Sequence, residues 1–255
     1  MMTDGMQTME PVRLPRLNEP APAFEAVTTQ GTLRLSDFAG RWVILFSHPA
    51  DFTPVCTTEF IAFTAIYPEL QKRNVDLLGL SIDSVYSHIA WIRNIEERFG
   101  VRVPFPVIAD LNKEVATRYG MVMPGESTTE TARCVFIIDD KQLLRAMIYY
   151  PLSTGRNMQE ILRVIDALQT ADEFTVATPA NWQPGDKVIM APPKTVEMAA
   201  ERVTHAHKVV TGYPIGGQKM AVGAHEATTN GYECIDWYLC KKDLPLPKAG
   251  KAKVP

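Results

Sequence analysis

One cysteine stands where the start of a helix would favour its ionised form. Cys56 follows Thr53 and Pro54. Threonine is a natural N-cap residue, and proline suits the first helical position because the N–H that it lacks would be unpaired there anyway. Cys56 then falls in the first helical turn, where free backbone N–H groups and the helix dipole favour a negative charge. We therefore predict a reactive thiolate; the alternative is a cysteine that only packs as a small buried hydrophobe.

Strands and helices alternate around this cysteine. Short apolar runs predict buried strands over 42–47 and 75–82, and helical apolar spacing predicts helices over 59–72 and 85–99. Two further β-prone runs, 133–139 and 143–149, flank a short polar gap typical of a hairpin, and a last helix is predicted over 156–170. This order predicts an α/β core in which parallel strands are joined by crossover helices.

Composition limits the class of protein. The chain has 255 residues, 46% of them hydrophobic and 22% charged, with a net charge of −3. This charge is too small to predict a nucleic-acid or membrane partner, and no run approaches the ~20 apolar residues of a membrane span. The first twenty residues match neither a signal peptide nor a transit peptide. We therefore expect a cytoplasmic protein, in which the four cysteines are candidates for redox work instead of structural disulfides.

The spacing Pro49-x-x-x-Thr53-x-x-Cys56 resembles the peroxidatic motif of peroxiredoxins. The fuller run 47–59 is similar to the one-Cys, or peroxiredoxin-6-type, branch, and further matches follow at 80–84, 104–110 and 131–133. The resemblance implies a thioredoxin-like fold and a thiol-dependent peroxidase without a cofactor. Hydrogen peroxide and organic hydroperoxides would be its substrates, and attack would leave Cys56 as a sulfenic acid.

The resemblance also implies roles for residues around the thiol. Thr53 would donate its hydroxyl to the peroxide, and Arg133 would hold the thiolate and a substrate oxygen through charge-assisted hydrogen bonds. Pro49 would shield the thiolate from water, and His48 would lie near the bound peroxide. Arg156 has two interpretations, because it either completes an ion network with a glutamate or merely begins a helix.

Two cysteines near the C-terminal end depart from a pure one-Cys pattern. Cys234 and Cys240 lie in a stretch that resembles the arm of archaeal and bacterial thioredoxin peroxidases. There an arm cysteine resolves the sulfenic acid of the neighbouring subunit. We assign this role to Cys240, which follows a bulky aromatic run, and a secondary redox role to Cys234. Cys134 follows Arg133 on a strand, so its side chain is expected on the opposite, buried face.

Changes in composition suggest four parts of the chain. We predict a tail over 1–11, a peroxidase domain over 12–170, a C-terminal arm over 171–242 and a basic, disordered tail over 243–255. The arm is expected to pack on a second subunit, which gives at least a homodimer and allows the pentamer of dimers of relatives. A thioredoxin-like protein or a small thiol would be the reductant.

Other functions would require other motifs or would use the same cysteine differently. A thiol-disulfide oxidoreductase would carry Cys-x-x-Cys, but position 59 is Glu. A redox sensor or a holdase-type oligomer could use the same cysteine without turnover and stays open. No Gly-x-Ser-x-Gly string of a phospholipase occurs. Because His88, His205, His207 and His225 show no metal-ligand spacing with cysteines or carboxylates, no metal is predicted.

Overall fold

The computed structural model describes residues 14–204 and 231–244. The chain divides after Leu162 into two compact units, and the second begins at Arg163. The predicted tail 1–11 and most of the predicted tail 243–255 lie outside the described residues, and the predicted boundary at residue 170 stays a prediction. No helix in the described part of the chain is long and apolar enough to cross a membrane.

The first unit is built on a seven-stranded sheet with the strand order β2-β1-β5-β4-β3-β6-β7. Its strands are β1 (Glu25–Thr28), β2 (Gly31–Arg34), β3 (Trp42–Ser47), β4 (Val75–Ser81), β5 (Val107–Ala109), β6 (Arg133–Ile138) and β7 (Leu144–Tyr150). The centre, β3-β4-β5, is parallel, and the outer pairs are antiparallel. The predicted parallel core and the predicted hairpin β6–β7 are confirmed, and β1, β2 and β5 were not predicted.

Three α-helices lie between these strands along the chain, and a fourth follows β7. They are α1 (Pro54–Lys72), α2 (Val85–Phe99), α3 (Glu114–Arg118) and α4 (Met158–Phe174). The predicted stop of α2 is confirmed, because Gly100 caps it in the left-handed conformation with φ 67°. For α4 the predicted bounds are wrong: it begins two residues later and ends four residues later than 156–170, a drift common at helix ends.

β3 and β6 are buried along their whole length and are adjacent in the sheet. Their side chains alternate between the two faces. On one face Phe46 packs on Phe60 and Phe63 of α1, with ring centroids 5.5 and 4.2 Å apart. Because Val135 pairs with Phe46, Arg133 lies on this same face. The opposite face carries an apolar cluster that includes Cys134 and Phe136.

The second unit has its own three-stranded sheet, with the order β8-β10-β9. Its strands are β8 (Val188–Ile189), β9 (Tyr232–Asp236) and β10 (Leu239–Lys242), and it also contains α5 (Val196–Thr204). Trp182 and Val188 are buried in it, at 2% and 0% exposure. The prolines and glycine between 179 and 193 predict an extended segment, and the residues after them predict a helix over 195–207, but no pattern in the sequence predicts these strands. Residues 205–207 of the predicted helix lie outside the described residues.

Candidate active site

Cys56 is the third residue of α1 and is fully buried, at 0% exposure. The predicted helix start is confirmed, because Pro54 opens α1 and Thr53 precedes it with extended backbone angles of −101° and 147°. Phe52, one residue earlier, is left-handed with φ 56°, at a cost of about 1–2 kcal/mol. This turn brings the chain from the carboxyl end of β3 into α1 and sets Cys56 at the junction.

Thr53 occupies the N-cap position, but its side chain does not cap the helix. Its hydroxyl donates to the carbonyl oxygen of Ala50 at 2.9 Å. The cap interaction implied by the sequence is therefore wrong: in the orientation that lets the hydroxyl donate to Ala50, Thr53 Oγ1 accepts no N–H of the first turn. The side chain thus does not occupy the N–H groups of the first turn, which remain able to stabilise an anion.

Arg133 joins the thiol to an acidic side chain. Its Nη1 donates to Cys56 Sγ at 3.3 Å and to Glu59 Oε2 at 2.8 Å. Its Nε donates to the carbonyl oxygen of Leu152 at 2.8 Å, which fixes the orientation of the guanidinium. Cys56 and Glu59 are three residues apart and so lie on one side of α1, facing β6.

Arg156 completes this network, as one of its two predicted roles required. It donates through Nε to Glu59 Oε1 at 2.8 Å and through Nη2 to Glu59 Oε2 at 2.7 Å. Its Nη1 also donates to the carbonyl oxygens of Ser47 at 2.9 Å and Cys134 at 2.8 Å. The guanidinium lies over the Phe46 ring, 5.1 Å from its centroid. Arg156 therefore ties α1 to the ends of β3 and β6.

The charges of this network do not cancel. Burial alone would raise the pKa of Glu59, but the hydrogen bonds and charge of Arg156, followed by the charge of Arg133, outweigh it and lower that pKa. One carboxylate thus faces two guanidinium groups, and all three side chains are at most 3% exposed. The cluster has one excess positive charge, which an ionised Cys56 would balance.

His48 and Pro49, which link β3 to the turn, are both buried. The His48 ring packs on Phe60 of α1, with centroids 4.9 Å apart, and its Nε2 lies 3.0 Å from Asp51 Oδ1. Phe60 follows Cys56 by four residues, so the two share one side of α1. The structure therefore brings His48 to the side of the helix that carries the thiol.

Sequence reasoning missed Asp51 and His88 as members of this site. His88 Nδ1 lies 2.9 Å from Asp51 Oδ2, although 37 residues separate them along the chain. The expectation that His88 shows no metal-ligand spacing with a carboxylate is wrong. Polar atoms of His48, Asp51 and His88 lie within 4.8 Å of one another, which is ligand spacing, but the hydrogen bonds link them directly. The absence of a metal stays a prediction.

Cys134 lies on the other face of β6 and is also fully buried. Burial raises the pKa of its thiol to about 11, although a hydrogen bond with Ser47 opposes the shift. It belongs to the apolar cluster and not to the charged network. The predicted buried, opposite-facing cysteine is confirmed.

The two arm cysteines lie in the second unit. Cys234 on β9 and Cys240 on β10 are direct strand partners and form a disulfide. Both are buried, at 2% and 0% exposure. In this state neither carries a thiol, whereas Cys56 and Cys134 are free.

Two family models match the chain. Residues 17–147 match the AhpC/TSA family, and residues 167–206 match the C-terminal domain of 1-Cys peroxiredoxin. Among curated proteins, a peroxiredoxin of Aquifex aeolicus is 55% identical over 247 residues, which cover 92% of this chain and 100% of the relative. A peroxiredoxin of Methanosarcina mazei is 49% identical, covering 90% of this chain and 99% of the relative.

Solved structures give the same likeness. The yeast mitochondrial 1-Cys peroxiredoxin superposes with a TM-score of 0.73 at 40% identity, covering 91% of this chain and 100% of the other. The peroxiredoxin 6 of Arenicola marina superposes with a TM-score of 0.72 at 38% identity, covering 91% and 99%.

Proposed function

Since the chain belongs to the peroxiredoxin family and is a thiol-dependent peroxidase with a thioredoxin-like fold, we propose that Cys56 is its peroxidatic residue. The observation that carries this assignment is the 3.3 Å contact between Arg133 Nη1 and Cys56 Sγ, inside a buried network of net positive charge. Cys134 lacks such a network. Hydrogen peroxide and organic hydroperoxides are the proposed substrates.

The proposed reaction is the attack of the Cys56 thiolate on a peroxide, with Arg133 stabilising the negative charge. The Cys56 thiolate attacks one peroxide oxygen, the O–O bond breaks, and its electron pair leaves with the other oxygen as hydroxide or alkoxide. Cys56 becomes a sulfenic acid and is thereby oxidised, while the peroxide is reduced. Arg133 stabilises the charge on sulfur at the start and on oxygen as the bond breaks, because its guanidinium is already fixed by Glu59 and Leu152.

Thr53, Pro49 and His48 complete the proposed substrate pocket. Donation by Thr53 to the peroxide requires its hydroxyl to turn away from Ala50, to which it now donates. Pro49 is buried beside His48 and excludes water. Arg156 acts on the site through Glu59, which it holds in place for Arg133.

The arm is proposed to resolve the sulfenic acid across a homodimer, which allows larger assemblies such as a pentamer of dimers. Cys240 of one subunit attacks sulfenylated Cys56 of the other, forming an intersubunit disulfide and releasing water. Cys234 then attacks Cys240, which frees Cys56 as a thiol and leaves the Cys234–Cys240 pair oxidised. The disulfide between these strand partners supports this exchange.

A dithiol or small thiol must then reduce the Cys234–Cys240 disulfide. A thioredoxin-like protein is the proposed donor, with a small thiol as the other class. The yeast mitochondrial relative is described as resolved via glutathione and thioredoxin systems. In this chain the exposed aromatic side chains of Trp237 and Tyr238, between the two cysteines, offer such a donor a contact surface.

The same cysteine could serve a redox sensor or a holdase-type oligomer. Peroxide consumption by the purified protein, with and without thioredoxin or small thiols, separates these functions. Rapid consumption that depends on Cys56 and on a thiol supports the peroxidase. Suppression of aggregation without turnover supports the holdase.

Non-reducing electrophoresis after peroxide treatment tests the resolving step. We expect a covalent dimer that is absent in Cys56→Ser and Cys240→Ser, survives in Cys134→Ser, and accumulates in Cys234→Ser because the exchange cannot follow. A dimer in Cys240→Ser that is lost in Cys234→Ser would reverse the two roles. No dimer in any variant would mean a one-Cys mechanism with an external thiol.

A further inference from the structure

A buried polar cluster around Asp51 has no role in the proposed reaction. It consists of Asp51 and His88, together with the Nε2 side of His48, and both histidines are 0% exposed. Asp51 is held through its backbone as well, because its N–H donates to Asp83 Oδ2 at 3.0 Å. Buried ionisable groups with several fixed hydrogen bonds beside a reactive residue are candidates for positioning it.

The hydrogen-bond partners of His88 fix its protons. Its Nδ1 faces both carboxylate oxygens of Asp51, at 3.0 and 2.9 Å, and its Nε2 faces the carbonyl oxygen of Ile108 at 3.1 Å. A carbonyl oxygen only accepts, so Nε2 carries a proton. Burial would raise the pKa of Asp51, but the hydrogen bonds with His48 and His88 outweigh it and lower that pKa. Asp51 is then an acceptor too, so each ring nitrogen of His88 faces an acceptor.

The acceptor that faces Nε2 likewise fixes the tautomer of His48. Its Nε2 faces Asp51 Oδ1 and so carries the proton. Burial lowers the pKa of His48 despite the neighbouring Asp51, so the ring is neutral near pH 7. Nδ1 therefore presents a bare lone pair, and it is buried without a hydrogen-bond partner among the described residues.

The backbone of His48 is held by hydrogen bonds, and its ring is held by packing. Its backbone N–H donates to Leu80 at 2.9 Å, and its carbonyl accepts from Thr131 Oγ1 at 2.8 Å. The ring is packed against Phe60 and Trp91, with centroids 4.9 and 5.2 Å away. No described residue donates to this fixed acceptor, so a donor from outside the protein can satisfy it. A hydroperoxide O–H is such a donor.

We propose that the Asp51–His88 ion pair is a positioning device for the peroxidase reaction. Asp51 holds the His48 proton on Nε2, and His88 offsets the charge of Asp51, so that Nδ1 stays free to accept the O–H of the incoming hydroperoxide and aim the peroxide at Cys56. This rests on the proposed role of Cys56. Asp51 and His88 do not touch the substrate and act through His48.

The first test is the protonation state in the reduced, full-length protein. Nitrogen-15 NMR of the histidine rings at pH 7.5 should show His48 protonated on Nε2 alone and His88 protonated on both nitrogens. A His48 proton on Nδ1, or a neutral His88, overturns the proposal without reference to activity.

The second test adds Asp51→Asn, whose side-chain amide can donate to His48 Nε2 and so move the proton to Nδ1. We expect that tautomer change, together with an approximately tenfold slower sulfenylation of Cys56 by hydrogen peroxide, followed by dimedone labelling. The matched control is Asp139→Asn, a buried carboxylate elsewhere in the first unit that accepts from Lys141 and Leu143. It should lower stability and leave the rate unchanged.

A slower rate in Asp51→Asn with an unchanged His48 tautomer overturns the proposal, because the effect is then structural. An unchanged rate overturns it as well. Wild-type protein that forms no sulfenic acid on Cys56 refutes the proposed function instead, while the NMR result stands or falls by itself.

His88→Gln serves if Asp51→Asn does not fold. The charged groups that act on His48 are Asp51, His88 and Asp83. Without the His88 cation, His48 should take a second proton to balance the two carboxylates. The sulfenylation rate should then fall at pH 7 and recover as the pH rises and His48 loses that proton. A rate in His88→Gln with the pH profile of the wild type overturns the proposal.

Discussion

Arg133 and Cys134 are neighbours on β6, yet they belong to two different environments. The face that carries Arg133 holds a thiol, a carboxylate and two guanidinium groups within one hydrogen-bonded network. The face that carries Cys134 is an apolar cluster. Both Cys56 and Cys134 are 0% exposed, so exposure does not distinguish the proposed peroxidatic cysteine from Cys134.

The two cysteines differ in whether neighbouring charges would balance the negative charge of an ionised thiol. An ionised Cys134 would be a buried anion in an apolar cluster, which is why burial raises its pKa to about 11. An ionised Cys56 would cancel the excess charge of Arg133 and Arg156 over Glu59. The charge around each cysteine is therefore set by the sheet face that it points to, and one residue along a strand changes that face.

The largest expected difference between the two faces is in the rate of peroxide consumption after each thiol is removed. Cys56→Ser should abolish peroxide consumption, since no nucleophile of comparable environment remains in the described first unit. Cys134→Ser should keep the rate within about twofold, and it serves as the matched control. A stopped-flow assay with excess hydrogen peroxide measures both. Comparable losses in the two variants would show that the faces do not differ in function.

Replacing Arg133 should lower the rate of peroxide reduction less than replacing the Cys56 thiol does, but the decrease should still be large. Arg133→Met removes one charge-assisted contact from the transition state, worth about 3 kcal/mol, which corresponds to a fall of ~10²-fold in the second-order rate constant with peroxide. The control is Arg145→Met on the adjacent strand, which removes an ion pair with Asp139 away from the thiol and should leave the rate unchanged. Equal rates in both variants would remove Arg133 from the mechanism.

Much of this contrast was predictable from the sequence, because it depends on local signals. The spacing of Thr53, Pro54 and Cys56 predicted the helix start, and alternation along β6 predicted that Arg133 and Cys134 point apart. The motif placed His48 and Pro49 at the same junction. Each of these inferences needed only a few consecutive residues and a known periodicity.

The parts that escaped prediction depend on contacts between distant residues. His88 meets Asp51 across 37 residues, and nothing near His88 in the sequence signals a carboxylate. The N-cap signal of Thr53 gave its position correctly but not the direction of its hydroxyl, which Ala50 competes for. The strands of the second unit are two to five residues long, so their alternation is too short to predict.

A smaller effect on the thiol face is expected from Thr53. Thr53→Val removes a neutral hydroxyl, whose hydrogen bond to the peroxide is worth about 1.4 kcal/mol, so the rate should fall about tenfold. Thr53→Ser keeps the hydroxyl and should stay within about twofold. The same stopped-flow assay measures both. Equal losses would indicate that the shape of the Thr53 side chain matters, and not its hydroxyl.

The last contrast is in stability, since one face is ionic and the other is not. The lowered pKa of Glu59 means that its contribution to stability is present above the ordinary carboxyl value, about 4.5, and is lost as the pH falls below it. Glu59→Gln should therefore be less stable than the wild type at pH 7, and the gap should narrow as the pH falls from 5 to 3. Urea unfolding at several pH values measures this gap.

Cys134→Ala is the control for the apolar face. The Cys134 thiol of the wild type stays protonated throughout this pH range, so the stability difference between Cys134→Ala and the wild type should not change with pH. A Glu59→Gln gap that is constant with pH would mean that the Glu59 carboxylate is not stabilised by the two arginines, and the distinction between an ionic and an apolar face would lose its energetic basis.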